Sequence, residues 1–235
     1  MLRSHALPAA LVLLILVGCD RATPSANYFP LEPGRHWQYR VERTTMDGST
    51  ELRHAVRAVA VPPGLGIDAM RETLGGLRYL YVIDDDGIFR IGEAANGQRQ
   101  GVGDVSRELV LPYPVNADST WQTWSQTTVL ENTGPPWETL FRINAPIRMR
   151  YQVEATDGAI TTPAGRFDGC LVIAGRGTAS VDVGNYIGRT QIEIASREWF
   201  APGVGLVRME RDEKTGAAAL SAGRLVMELD QWQRR

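Results

Sequence analysis

From His36 to Trp232, apolar and polar residues alternate in short runs, the period-two signature of strands with one buried face. Residues 35–45 alternate around Trp37, Tyr39 and Val41, and the run from Leu52 to Val61 stops at Pro62-Pro63-Gly64. Leu77 to Ile83 and Ile88 to Ile91 flank Asp84-Asp85-Asp86-Gly87. Glu108–Leu111, Trp121–Leu130, Met149–Ala155, Ile160–Thr162, Leu171–Ile173, Ile187–Phe200, Gly205–Arg211 and Arg224–Trp232 complete the series. Along 189–199 one face carries Arg189, Gln191, Glu193, Ala195, Arg197 and Trp199. The other carries Thr190, Ile192, Ile194, Ser196 and Glu198, and the pattern predicts that this second face meets the core. Asp47-Gly48, Asp86-Gly87, Asn96-Gly97 and Asp157-Gly158 predict hairpin turns, because these pairs admit positive φ. Asp157-Gly158 is expected to join Met149–Ala155 to Ile160–Thr162. No long amphipathic helix pattern follows residue 20, although Met70–Leu74 and Ala217–Ala222 leave room for one or two short helices. The expected fold class is all-β: one curved antiparallel sheet of roughly ten strands, or an incomplete β-barrel, that curls to manage its edges.

The first residues break this pattern. Arg3 is followed by an apolar run from Ala6 to Gly18. A helix of that length spans about 20 Å, short of the ~30 Å hydrocarbon core, and fits a secretory signal better than a permanent membrane span. Leu16-Val17-Gly18-Cys19 resembles the bacterial lipobox. The resemblance implies cleavage between Gly18 and Cys19 and acylation of the Cys19 thiol and the new amine, several chains anchoring where one would hold weakly. The expected division is a signal peptide over 1–18, a lipidated Cys19 and tether over 19–27, and a single β domain over 28–235. Asp20 resembles the signal that retains lipoproteins in the inner membrane of enteric bacteria. The expected location is therefore the bacterial cell envelope, lipid-anchored and facing the periplasm, with the inner membrane favoured over the outer.

Three motifs have the look of a family. They are Tyr28-Phe29-Pro30-Leu31 with Gly34 and Trp37-Gln38-Tyr39, then Pro163-Ala164-Gly165-Arg166-Phe167, then Trp199-Phe200-Ala201-Pro202-Gly203-Val204-Gly205. Together they resemble uncharacterised bacterial envelope lipoproteins related in fold to the LolA/LppX-like lipoprotein carriers. Phe200 stands where that pattern commonly has Tyr. The resemblance implies a curved, incomplete antiparallel barrel with a hydrophobic concavity, and it brings no catalytic residues. Read without it, the motifs are structural: a packed entering segment, a Pro-Ala-Gly turn, and two strands joined by a Pro-Gly turn.

Composition narrows the chemistry. A formal net charge of -2 argues against a broad nucleic-acid surface. With Cys19 used for lipid, Cys170 is the remaining thiol and is read as a small buried hydrophobe. No Gly-x-Ser-x-Gly, His-Glu-x-x-His or Cys-x-x-Cys occurs. Asp84-Asp85-Asp86-Gly87 reads as a hairpin tip rather than a calcium loop, and Arg148, Arg150 and Arg189 read as strand residues paired with carboxylates. No catalytic residue, metal site or cofactor is expected; His36 and His54 are the first groups to inspect if that is wrong. Six Trp residues are the compositional oddity. Trp121 and Trp124, three apart, should face opposite ways on a strand. Trp37, Tyr39, Trp121 and Trp199 are the candidate ligand-binding residues. The expected function is a non-enzymatic envelope protein, held on a membrane by its lipid, that binds a lipid, acyl chain or lipoprotein in its concavity. The alternative is an assembly protein that binds a protein partner through a sheet edge or surface.

Overall fold

The structure, a computed structural model, describes residues 27–95, 107–134, 139–183 and 188–234, with the backbone alone given over 132–134 and 139–142. Gly18, Cys19, the tether up to Ala26, the Asn96-Gly97 turn and Trp137 lie outside the described residues. Fourteen strands occur in the described chain: β1 (His36–Thr45), β2 (Gly48–Val59), β3 (Ala69–Thr73), β4 (Arg78–Asp84), β5 (Gly87–Ala94), β6 (Glu108–Pro112) and β7 (Thr120–Gln126), then β8 (Glu131–Gly134), β9 (Thr139–Arg142), β10 (Pro146–Thr162), β11 (Gly165–Asp182), β12 (Arg189–Ala201), β13 (Gly205–Thr215) and β14 (Ala222–Gln233). There is no helix among the described residues. Of Met70–Leu74, read as a helical turn, the part through Thr73 instead falls on β3, whose residues pair with β2 and β4, and Ala217–Ala222 is a turn that enters β14 at its last residue. Pairing on both sides overrides the local preference of so short a segment.

Twelve strands form one antiparallel sheet in the order β6-β5-β4-β3-β2-β1-β14-β13-β12-β11-β10-β7, while β8 and β9 pair separately. The two edges, β6 and β7, come side by side without pairing, so the sheet curls into a nearly closed barrel with one unsealed seam. Closing on itself in this way leaves only two short edges exposed to stray pairing.

Along β12, buried and exposed residues alternate as the pattern predicts, except that Trp199, opposite Val172 on β11, is buried with it. Asp157-Gly158 is no hairpin turn: β10 runs through it, with register shifts against β11. Gly158 is needed for another reason, since a Cβ there would lie 2.5 Å from Cγ2 of Val172. The turn comes instead at Thr162–Gly165, where Ala164 N donates to the carbonyl of Leu229 at 3.0 Å and ties the hairpin tip to β14. Cys170 through Ile173 are all buried, because the two faces of β11 meet different clusters. Leu171 and Ile173 join Phe29, Tyr81, Trp121 and Phe200. Cys170 and Val172 join Trp199, Val207 and Leu229, with Ile160, Ala164 and Phe167 of the hairpin packed on them.

Two segments pack against the ends of the strands. On one side the entering chain is held where Gly203 N donates to the carbonyl of Asn27 at 2.8 Å and Arg35 to that of Gly203 at 2.7 Å. Phe29 is thereby set edge-on to Tyr81, at 5.6 Å between centroids. Gly34, at φ 96°, makes the turn into β1. On the other side the chain leaving β7 crosses to β13. There the fully buried Glu213 accepts from Thr128 N at 3.0 Å, from Val129 N at 3.1 Å and from Arg211 Nε at 2.7 Å. Leu130, Ile143, Ile147, Met149, Ile194 and Leu220 pack beneath it.

Candidate functional site

Between these packed ends the barrel interior is not filled by its own side chains. It keeps a cavity of about 340 Å³ that reaches the seam, its wall including Leu109 and Val110 of β6 and Thr123, Trp124 and Ser125 of β7. The apolar lining comes from Phe29 of the entering segment and from Val56, Ile173, Phe200, Leu206 and Met227, inward positions on β2, β11, β12, β13 and β14. The volume lies at the lower end of the ~300–1,000 Å³ range of small-molecule sites.

The lining is more polar than a purely hydrophobic concavity. Arg71, His54, Glu198, Arg90 and Glu108 share it with Tyr39, Tyr79, Tyr81 and Tyr151. Arg90 is neutralised by Glu108 at 2.6 Å and Glu93 at 3.2 Å. Arg71 is not. Its guanidinium lies 3.8 Å from the Phe29 ring centroid and 4.7 Å from that of Trp37, and donates to the carbonyl of Pro30 at 2.8 Å. Its Nε has no hydrogen-bond partner, and no carboxylate among the described residues pairs with it; Glu32, which acts on it through space, is bound to Arg35 at 2.7 Å. Burial pushes the Arg71 pKa down.

On β12, burial raises the Glu198 carboxyl to about 7, while Arg211 pulls the other way. Burial likewise raises Tyr39, Tyr81 and Tyr151, keeping all three phenols protonated, and it lowers His54. The interior therefore presents one uncompensated cation, a carboxyl that is half-protonated near neutrality, and a ring of aromatic faces.

The four candidate residues are placed differently. Tyr39 lines the cavity and donates its hydroxyl to the carbonyl of Leu206 at 3.1 Å. Trp121 lines it too, stacked on Tyr151 at 5.5 Å. Trp37 stands behind Arg71, its indole N–H donating to the carbonyl of Val204 at 2.7 Å. Trp199 packs in the other cluster, with Arg197 5.1 Å from its ring. Trp124 faces away from Trp121, as their spacing requires, and is 46% exposed against 7% for Trp121. It forms part of the cavity rim, with Arg148 at 5.5 Å.

Other sequence candidates fall outside the cavity. His36 is exposed. Asp84 closes the tip between β4 and β5 by accepting from the backbone N–H groups of Asp86 and Gly87. Cys170 is fully buried, and burial pushes its thiol up to about 11. Among the described residues no cluster of three His, Cys, Asp or Glu side chains is close enough to hold a metal. Arg150 lies directly opposite Arg176 rather than beside a carboxylate. Sequence reasoning missed Arg71 and Glu198 as cavity residues. Arg71 sat in the segment read as a helical turn; Glu198 had a signal, a carboxylate on the core face of an alternating strand.

The DUF3108-like family matches residues 142–221, which take in the whole of β10, β11, β12 and β13. No curated protein matches the chain. Two solved structures are similar to it. One is described as a "putative lipoprotein" from Parabacteroides distasonis, 15% identical over 90% of this chain and 100% of that one, with a TM-score of 0.42. The other is described as a "putative exported protein" with a YmcC-like fold from Bacteroides fragilis, 17% identical over 89% of this chain and 100% of that one, with a TM-score of 0.37.

Proposed function

We propose that this chain is a non-enzymatic lipoprotein of the bacterial envelope, anchored at Cys19 and facing the periplasm, that holds a small amphipathic molecule inside its barrel. The observation that carries this reading is the cavity itself. Twelve strands curl around about 340 Å³ of unfilled space, lined by aromatic, aliphatic and charged side chains, that reaches the one unsealed seam. An interior that served only as a core would be packed to crystal-like density, since voids forfeit dispersion contacts. The volume suits one acyl chain or a comparably small ligand rather than a two-chain lipid. The lipobox-like Leu16-Val17-Gly18-Cys19 supports the anchor, and Asp20 supports the inner membrane.

The test is the binding of a neutral apolar fluorophore, N-phenyl-1-naphthylamine, to the full-length protein in a non-ionic amphipol. Saturable binding of one probe per chain is expected, weakened at least tenfold by Thr123→Phe, which fills the cavity from β7. Binding indifferent to that substitution would remove the cavity as the site. A second reading, a protein partner docked along the seam, is supported by the unpaired outer backbone of β6 and β7.

A further inference from the structure

We infer that Arg71 is the receptor for the acidic headgroup of a single-chain amphiphile, a carboxylate or phosphate whose tail lies against Phe200, Leu206 and Met227. The inference rests on the reading of the interior as a binding cavity and specifies its ligand.

A buried charge is tolerated when it is paired and fully hydrogen-bonded; left alone, it is among the most expensive features a fold can carry. Glu213 and Glu72, the two most buried carboxylates among the described residues, obey that rule. Glu213 accepts from Thr128, Val129 and Arg211, and Glu72 accepts from Arg57 at 2.6 Å and Arg78 at 3.1 Å. Arg71 departs from it. Two aromatic faces and one backbone carbonyl hold the guanidinium in place, and these contacts orient it without neutralising it. Its Nε donor is left unused. The planar fork of an Arg matches a carboxylate or phosphate oxygen pair, and the missing partner is therefore an anion.

The surroundings fit an amphiphile better than a free inorganic anion. Arg71 shares the cavity wall with the apolar side chains of Phe200, Leu206, Met227 and Ile173. Tyr81, protonated, lies within electrostatic reach of Arg71 and offers a further donor on the same wall. A tail among these groups would dry the site, and drying strengthens the charge pair at the head.

The experiment uses the full-length protein in a non-ionic amphipol and follows displacement of bound N-phenyl-1-naphthylamine by dodecanoate, dodecyl phosphate and dodecanol, three ligands with one tail and different heads. At least one anion is expected to displace the probe at a tenfold or lower concentration than the alcohol. That gap should close in Arg71→Met and persist in part in Arg71→Lys. Whichever anion is the stronger tells a fatty acid from a monoacyl phosphate as the source of the headgroup. Equal displacement by all three in the wild-type protein overturns the role of Arg71 while leaving the cavity reading intact, and this comparison holds even if Arg71→Met fails to fold. Failure of the probe to bind at all overturns the cavity reading and this inference with it.

Discussion

Replacing Glu198 by Gln should abolish a specific part of the pH dependence of stability. Glu198 sits on the inward face of β12 and lines the cavity. Tyr151 of β10 and Arg211 of β13 are the groups that interact with it electrostatically. Burial raises its carboxyl from 4.5 to about 7, and the Arg211 charge only partly offsets this. A carboxyl that binds its proton more tightly in the folded state favours folding fully below pH 4.5. That advantage is lost as the pH rises through about 7, because ionisation then costs more in the barrel than in the unfolded chain. At ~1.4 kcal/mol per pH unit, the loss is at most about 3 kcal/mol. Gln keeps the shape and hydrogen-bonding capacity without the charge. His54 works in the opposite sense: burial lowers its pKa, so its contribution is lost as the pH falls below 6.5. His54 is common to both proteins and cancels in their difference. Urea unfolding of wild type and Glu198→Gln at intervals from pH 4.5 to 8.5 gives that difference directly. The variant should gain on the wild type between pH 5 and about 7 and level off above that, by about 1–3 kcal/mol in all. A difference that stays flat across this range would show that Glu198 is solvated like a surface carboxylate and would refute the account of the interior.

Three further outcomes follow from local geometry and can be read from the same unfolding curves. Glu213→Ala strips a fully buried carboxylate from Thr128, Val129 and Arg211, and should cost about 3–5 kcal/mol, the range for breaking a buried charge network. Gly223→Ala sets a Cβ 2.5 Å from the carbonyl oxygen of Val129, backbone that cannot swing aside, and should cost about 1–3 kcal/mol. Arg176→Glu turns the directly opposed Arg150–Arg176 pair into an attractive one. It should stabilise the protein by about 0.2–1 kcal/mol at low salt, and by less as salt is raised.

The all-β fold was legible because most strands keep one wet face. β12 shows this best: from residue 189 to 197 its alternation names the buried side correctly. Legibility failed where tertiary pairing or close approach decided the outcome. β3 is five residues long and takes its conformation from β2 and β4. Gly158 looked like a turn glycine because Asp-Gly usually is one, yet it is there to let Val172 approach. Of the binding candidates, Tyr39 and Trp121 line the cavity, whereas Trp199 keeps the face its alternation gives it, away from the cavity, and is buried with Val172 in the second cluster. No local pattern shows that the Arg71 guanidinium lacks a carboxylate. That property depends on where Glu32 and Glu72 find partners, at Arg35 and at Arg57 with Arg78.

Mass spectrometry of what the protein carries tests most directly whether the barrel holds an amphiphile. The chain from Ala22 to Arg235 would be secreted to the periplasm behind a cleavable signal without Cys19, so that any lipid recovered on solvent extraction is bound rather than attached. The account predicts about one single-chain anionic amphiphile per protein, reduced at least tenfold in Thr123→Phe. A folded, stable and lipid-free domain would contradict it.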